Sequence, residues 1–402
     1  MLAPATRYDG YRSYSYLDEG RDYEAFELCP ELGRVPPYGG LSLGDEQSQR
    51  VERLLRDGIA ISLHEHPTVM PERVEELLPL TRTGRERTGF EGLARSGLTA
   101  LFDNFMDGTC NITSANGWKW TDVIADVGMR LCDIAHQDFV VRAERVRDIR
   151  AAHESGRLAL VPSLEASTMI ENELDRIEIL YGIGIRQMGI AYSEANSLGC
   201  GLKERRDGGL TAFGREAVER MNKIGMSIDV SHAGDVTSMD TIVHSTQPVF
   251  ITHAGARGVW NTNRMKPDDV IRACAERGGV IGLEAAPHTT LSKAHPRHTI
   301  ESVMDHFAYV VDLVGIEHVA FGPDTLWGDH VGLHHLFAAQ MSIGDAHGDE
   351  AFEEVEYVDG LENPTECFWN IIGWLVQNGY SDSEIEAVAS GNILRVLDQV
   401  WV

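Results

Sequence analysis

GIAISLHEHP, residues 58–67, decides how the chain folds. An apolar run with β-branched content ends in two histidines spaced two apart. On a strand that spacing points both rings to one face, so His64 and His66 can meet a single metal ion. Glu65 between them points the other way and reads as a packing or supporting residue. Four other segments share the design: LALVPSLE (158–165), GMSIDVSH (225–232), PVFITH (248–253) and EHVAFGPD (317–324). Each is a short apolar run, as a buried strand requires, and each ends in a side chain able to bind metal or move a proton. Polar groups at the C-terminal ends of several strands converge only if the strands surround one axis.

Working outward from these ends, eight strands are expected, at 58–65, 97–103, 158–165, 184–192, 225–231, 247–253, 278–284 and 317–324. Helical patterns separate most of them. Residues 120–156 hold one long helix or two shorter ones. FGREAVERMNKIG (213–225) stops at Gly225, PDDVIRACAERGG (267–279) has Pro267 at its start and glycines after its end, and 299–315 puts Val303, Phe307, Val310, Val311 and Val314 on one face. The fold class is therefore α/β, a (β/α)8 TIM barrel. Residues 1–50 form an irregular N-terminal arm lying on the barrel or on a second subunit. Residues 51–402 form the barrel with its C-terminal helices, at about 364–378 and 382–398. A long loop is expected over 329–355, with His330, His334, His335 and His347.

The chain has 402 residues, with 35 basic and 62 acidic side chains and a formal charge of −27. That balance disfavours nucleic acid and anionic membrane surfaces as partners. A small-molecule substrate is the expected partner, and local metal and arginine charge still lets a pocket accept an anion. Six cysteines (Cys29, Cys110, Cys132, Cys200, Cys274, Cys367) show no CxxC spacing, so neither a disulfide framework nor a thiolate metal site is expected. No leader and no membrane span is read from the sequence. The expectation is a soluble cytoplasmic protein.

The candidate metal ligands are His64, His66, Glu165, His232 and His253. A carboxylate at Glu165 is costly to bury without a partner and can bridge two divalent ions. Asp324 is either a further ligand or the group that takes a proton from metal-bound water and passes it to the leaving group, since a metal lowers the pKa of such water from 15.7 towards ~7. Arg264 reads as an anion clamp, because guanidinium meets carboxylate bidentately. A surface salt bridge is the alternative for Arg264, and Arg257 follows the same strand. Asp103 and Asn104 either line the pocket or cap the next segment, and His330 and His334 read as solvated loop residues.

These segments resemble the membrane (renal) dipeptidase family of zinc peptidases, within the amidohydrolase superfamily. GGLTAFGREAVERMNKIGMSIDVSH (208–232) carries the resemblance most specifically. PVFITHAGAR (248–257), NRMKPDDVIRACAERGGVIGL (263–283), HVAFGPD (318–324), VDGLENP (358–364) and GNILRVL (391–397) extend it over about 57–325 and 357–398. The resemblance implies a (β/α)8 barrel with two zinc ions: His64 and residue 66 on the first, Glu165 bridging, His232 and His253 on the second. It implies that Arg264 holds a substrate carboxylate, that Asp324 is the acid–base group and that the protein is a homodimer. Two positions depart from the family. His66 stands where the family has Asp, which removes a negative charge and allows for a single ion rather than two. Tyr192 stands where the family has a histidine contacting the reacting carbonyl; its hydroxyl can still donate to an oxyanion.

The expected function is a metal-dependent hydrolase cleaving an amide bond of a dipeptide or related small carboxylated amide, by attack of a zinc-bound hydroxide. The alternatives are a mononuclear lyase or decarboxylase of the same superfamily, acting on a small carboxylic acid, or a barrel without catalysis.

Overall fold

The eight expected apolar runs form eight parallel strands, here β1 (Ile61–Glu65), β2 (Ala100–Asn104), β3 (Leu158–Leu164), β4 (Gln187–Gly189), β5 (Ser227–Asp229), β6 (Phe250–Ala254), β7 (Val280–Leu283) and β8 (Val319–Phe321). They pair in sequence order around a nearly closed barrel. The structure is a computed structural model that describes residues 7–105, 119–337 and 351–402. Two expectations, Cys110 and His347, lie outside them. The seam between β1 and β8 is joined just past the strand ends. Asp324 N donates to the His64 carbonyl (3.1 Å) and His66 N to the Thr325 carbonyl (3.0 Å).

Barrel strands alternate between an axis face and a helix face. Ile61, Ala100, Phe102, Ala159, Val161, Phe250, Val280 and Ala320 share one buried cluster with Ile393, Leu397 and Trp401 of the C-terminal segment. Leu101, Leu160, Ile228, Ile251 and Phe321 belong to the larger cluster that includes the surrounding helices. The helix Asn392–Val400 thus covers the N-terminal mouth of the barrel. Asn392 donates to the Val319 carbonyl (2.8 Å) and Trp401 Nε1 to Ser227 Oγ (2.9 Å). With that mouth closed, the other end of the barrel is left for chemistry.

Local chemistry explains several helix ends. Thr211 Oγ accepts from Gly214 N (2.9 Å) to start Ala212–Ile224. Gly225, at φ +80°, ends that helix in the left-handed region glycine favours. Of the two readings of 120–156 the two-helix one holds, Trp120–Ile134 and Val146–Glu154, with an unexpected short strand at Val140–Arg142 pairing parallel to β3. Gln137 stops the first helix by bonding Ile134 O, Phe139 N, and both N and O of Val140, each at 2.7 Å. Two further expectations need correction. The expected helix 382–398 is broken by a π-helical turn at Ala387–Gly391. The expected loop after residue 329 begins as a helix, His330–Leu336, capped by the Asp329 side chain on Gly332 N (2.8 Å).

Residues 7–44 carry no helix and lie against the chain's own barrel. Asp133 anchors them, accepting from Tyr11 Oη (2.7 Å), Tyr14 N (2.7 Å) and Ser13 Oγ. The helix Asp45–Asp57 starts inside the span read as arm.

His306, fully buried on the helix Ile300–Val314, accepts from Ala256 N at Nδ1 (2.9 Å) and donates from Nε2 to the Leu291 carbonyl (2.8 Å). Burial pushes its pKa down to about 4, with the Leu291 bond opposing. An unfolded histidine protonates near pH ~6.5. The stability gained by keeping this ring neutral is therefore complete above that pH and is lost as pH falls towards 4. The excess stability of wild type over His306→Gln should shrink by roughly 1 kcal/mol per pH unit across that window, read by urea titration. A constant difference would rule out a neutral buried ring.

Candidate metal centre

Two β-bulges aim the histidines. In β1 the register moves from Ser62 to Glu65 while its partner moves only from Leu101 to Asp103. The extra residue shifts the alternation: Leu63 packs in the axial cluster, and His64 and His66 then face the site. Glu65 turns outward, as expected, but is fully buried. It accepts from Ser62 Oγ (2.9 Å), Thr325 N (2.9 Å) and Thr325 Oγ1 (2.7 Å), fastening β1 to the segment after β8. Burial pushes its carboxyl up to about 8, against those bonds. The second bulge lies in β6, where Ile251 to Ala254 faces only Ile281 to Leu283 of β7. It turns His253 to the axis after Phe250.

All five expected ligands and Asp324 meet at this end of the barrel. Glu165 Oε1 lies 3.4 Å from His64 Nε2, 3.2 Å from His232 Nε2 and 3.2 Å from His253 Nε2. Asp324 Oδ1 lies 3.3 Å from His64 Nε2 and 3.2 Å from His66 Nε2. The ring nitrogens face one another, with His232 Nε2 2.9 Å from His253 Nε2 and His64 Nε2 3.3 Å from His66 Nε2.

The far sides of three rings are held. His66 Nδ1 donates to the Asn104 carbonyl (3.0 Å), His64 Nδ1 meets the Asn104 side-chain amide (2.9 Å), and His253 Nδ1 meets Thr252 Oγ1 (2.8 Å). The Asn104 carbonyl places the His66 proton on Nδ1 and leaves its Nε2 lone pair free for a ligand role. Behind β5 and β6, Asp229 Oδ1 accepts from Ser231 N, Ser231 Oγ and Thr252 N at 2.6–3.0 Å, locking both histidine-bearing turns.

Burial holds His64, His232 and His253 below the ordinary imidazole pKa, the last two far below it. Burial therefore disfavours the charged form of each ring, and a neutral imidazole keeps one nitrogen lone pair for a cation. The donors are imidazole and carboxylate, with no thiolate, a set that suits a divalent ion such as zinc. His64, His66 and Asp324 form one group of converging ligand atoms, and His64, Glu165 and His253 another. The residues therefore fit a metal. Burial would raise the Asp324 carboxyl, but His64, His66 and His253 around it hold it well below the usual carboxylate range. Its backbone is left-handed, at φ +61°.

The remaining candidates fall differently. Tyr192 is buried and stacks on His232, with centroids 4.2 Å apart. Arg264 is buried beside the site, where it donates to the His253 carbonyl (3.1 Å) and forms an ion pair with Glu284. A substrate carboxylate reaching it meets a guanidinium that already has a carboxylate partner. Arg257 pairs with Asp235 (2.6 and 3.0 Å) at the rim. Asp103 pairs with buried Arg130 (2.7 Å), and Asn104 supports two ligands rather than capping a segment. His330 and His334, expected to be solvated, are buried and in edge contact (4.7 Å between centroids).

Glu284 was not among the expected site residues. It follows β7 directly, fully buried, with a ligand atom within 4.8 Å of those of His253 and Asp324. The run VIGLE repeats the pattern of an apolar strand ending in an acid, as in LALVPSLE, and that was the available signal. Burial pushes its carboxyl up to about 8, Arg264 opposing. A bound cation would act in the same direction as Arg264.

Comparison with known proteins agrees with this geometry. The chain is 26% identical over 290 residues to the dipeptidase aclJ of Aspergillus oryzae, covering 69% of this chain and 62% of that protein. An amidohydrolase from Pseudomonas aeruginosa superposes with a TM-score of 0.71 at 24% identity, covering 87% of this chain and 99% of that one. A metallopeptidase from Rhodobacter sphaeroides, solved with a phosphinate mimic of the dipeptide L-Ala-D-Ala, superposes with a TM-score of 0.65 at 18% identity, covering 86% and 100%. These last two likenesses establish the barrel fold. Residues 49–336 match the model of the membrane dipeptidase family, peptidase family M19. With metal-competent histidines at the ends of a barrel's strands and a family match over most of its length, this chain belongs to the membrane dipeptidase family of metallohydrolases.

Proposed function

We propose that this protein is a zinc-dependent hydrolase cleaving the amide bond of a dipeptide or related small amide, with two ions per chain. The observation that carries the reading is Glu165, whose one oxygen stands within 3.4 Å of His64 on one side and of His232 and His253 on the other. A carboxylate standing among these three rings could be shared between two ions. When bound, zinc polarises the scissile carbonyl and lowers the pKa of a coordinated water towards ~7. His64 and His66 would hold the first position, and His232 and His253 the second. Asp324, beside His64 and His66, would take a proton from the attacking water and deliver it to the leaving nitrogen. Tyr192 forms the wall against His232, and its hydroxyl could donate to a developing oxyanion. A cavity of about 40 Å³ beside His66, lined by Val69, Met70, Leu77, Phe105, Arg130 and Leu333 among others, offers room for a small side chain. A homodimer and a cytoplasmic location belong to the same proposal. Among the described residues no helix is long and apolar enough to cross a membrane.

The test is metal analysis paired with amine release from a dipeptide panel. Two zinc ions per chain are expected, with turnover lost on dialysis against a chelator and recovered when zinc is returned. A chelated sample that hydrolyses at the untreated rate would refute the reading. A single ion with carbon dioxide as product would replace it with the lyase alternative.

A further inference from the structure

A second cavity lies under the N-terminal arm and shares no lining residue with the metal centre. It measures about 740 Å³ and is bounded by the arm at residues 31–38, by Arg95 and by the start of the helix Pro364–Gln377. That is the size of a small-molecule site. The arm is pinned on both sides of it. Thr365 Oγ1 donates to the Glu31 carbonyl (3.2 Å), Gly92 N donates to Glu31 Oε2 (2.7 Å), and Arg34 pairs with Glu362. Beyond the gap, Tyr38 Oη donates to Glu301 Oε1 (3.1 Å). Val35, Pro36 and Pro37 span the distance between these anchors, and the fixed φ of proline stiffens the span against folding inward. The space is thus preformed.

Its lining is uneven. Val35, Pro36, Pro37, Tyr38 and Trp369 supply apolar surface, and the Trp369 ring is held by its Nε1 bond to the Arg95 carbonyl (2.8 Å). Of the two arginines, Arg34 is matched by Glu362, whereas Arg95 is exposed and forms no ion pair among the described residues. Glu31 and Glu366 also line the space. Burial raises both carboxyls, Glu366 to about 7, so at pH 6 Glu366 is mainly an uncharged O–H donor. A guanidinium without a partner beside apolar walls suits a carboxylate carried on an apolar body, since the two groups can meet bidentately. The chain's formal charge of −27 does not forbid this, because charges more than about 8 Å away are largely screened at physiological salt.

We propose that this cavity binds an aromatic carboxylic acid, with the carboxylate on Arg95 and the ring between the Pro36–Pro37 span and Trp369. The site is independent of the hydrolase reading and needs no metal.

Calorimetry at pH 6 with 2-naphthylacetate and with its neutral amide tests this on the full chain. The acid should bind wild type about tenfold or more tightly than the amide, a difference of about 1.4 kcal/mol or more. In Arg95→Gln, a change at an exposed side chain, that preference should vanish. Asn370→Trp, which puts an indole into the cavity, should abolish binding of both probes. If that variant does not fold, Arg95→Gln decides alone. A carboxylate held at the metal centre would bind both variants as it binds wild type, and that result overturns the proposal. So do equal affinities in wild type, and so does binding of neither probe. A second copy of the chain seated on this face would give no binding in wild type and a dimer that Asn370→Trp dissociates by light scattering, which also overturns it.

Discussion

Glu165→Gln is expected to strip the protein of metal and of activity together. Glu165 Oε1 is the one carboxylate oxygen lying within 3.4 Å of the Nε2 atoms of His64, His232 and His253. Glutamine keeps the shape but removes the negative charge, and it turns either a neutral oxygen or an N–H₂ group towards the cation. The first weakens the site and the second repels the ion. On the proposed reading this carboxylate serves both metal positions, so both should lose affinity and turnover should fall on the order of 10³-fold or more. Metal content by emission spectroscopy should fall well below that of wild type. The fold should survive, because replacing a buried carboxylate by an amide removes a desolvated charge. A Glu165→Gln protein with full metal and wild-type turnover would remove the central premise of the proposed function.

Asp324→Asn should separate chemistry from metal binding. Asparagine tolerates the left-handed backbone that Asp324 adopts at φ +61°, and the Asp324 N to His64 O bond across the seam needs no side chain. Folding should be retained. What is lost is the only carboxylate among the described residues that contacts both His64 and His66, and with it a base able to move a proton. A loss of about 10²–10⁴-fold in kcat is expected. Metal should be depleted less than in Glu165→Gln, since His64 and His66 remain. Unchanged kcat would mean that another group shuttles the proton.

The barrel was readable because its strands are buried on both faces, so that each appears as an unbroken apolar run. The candidate ligands were readable because a polar side chain closes such a run. Residues 140–142 were not, since FVV after a helical stretch carries the same apolar content in either conformation; only the hydrogen bonds of Gln137 decide where the helix stops. The bulges were invisible for a similar reason. An HxH motif predicts a shared face in any strand, but only the register against the next strand shows which face it is. Glu284 had the right local pattern. Its partnership with Arg264, twenty residues away, depends on how β6 and β7 sit side by side. His330 and His334 looked like loop residues because helix content and burial there come from packing, not from periodicity.

The Glu65–Thr325 fastening has a consequence for how the protein handles its metal. First and last strands are joined by a side chain and a few backbone bonds rather than by a long ladder. His64 and His66 stand on one lip of that join and Asp324 on the other. Local opening of such a join takes less than global unfolding, and a parting of the lips would disperse the ligands of a cation held there while the remaining staves stay paired. Loading and release of that ion would then be uncoupled from melting, with the barrel a clasp undone at its hook without being taken apart.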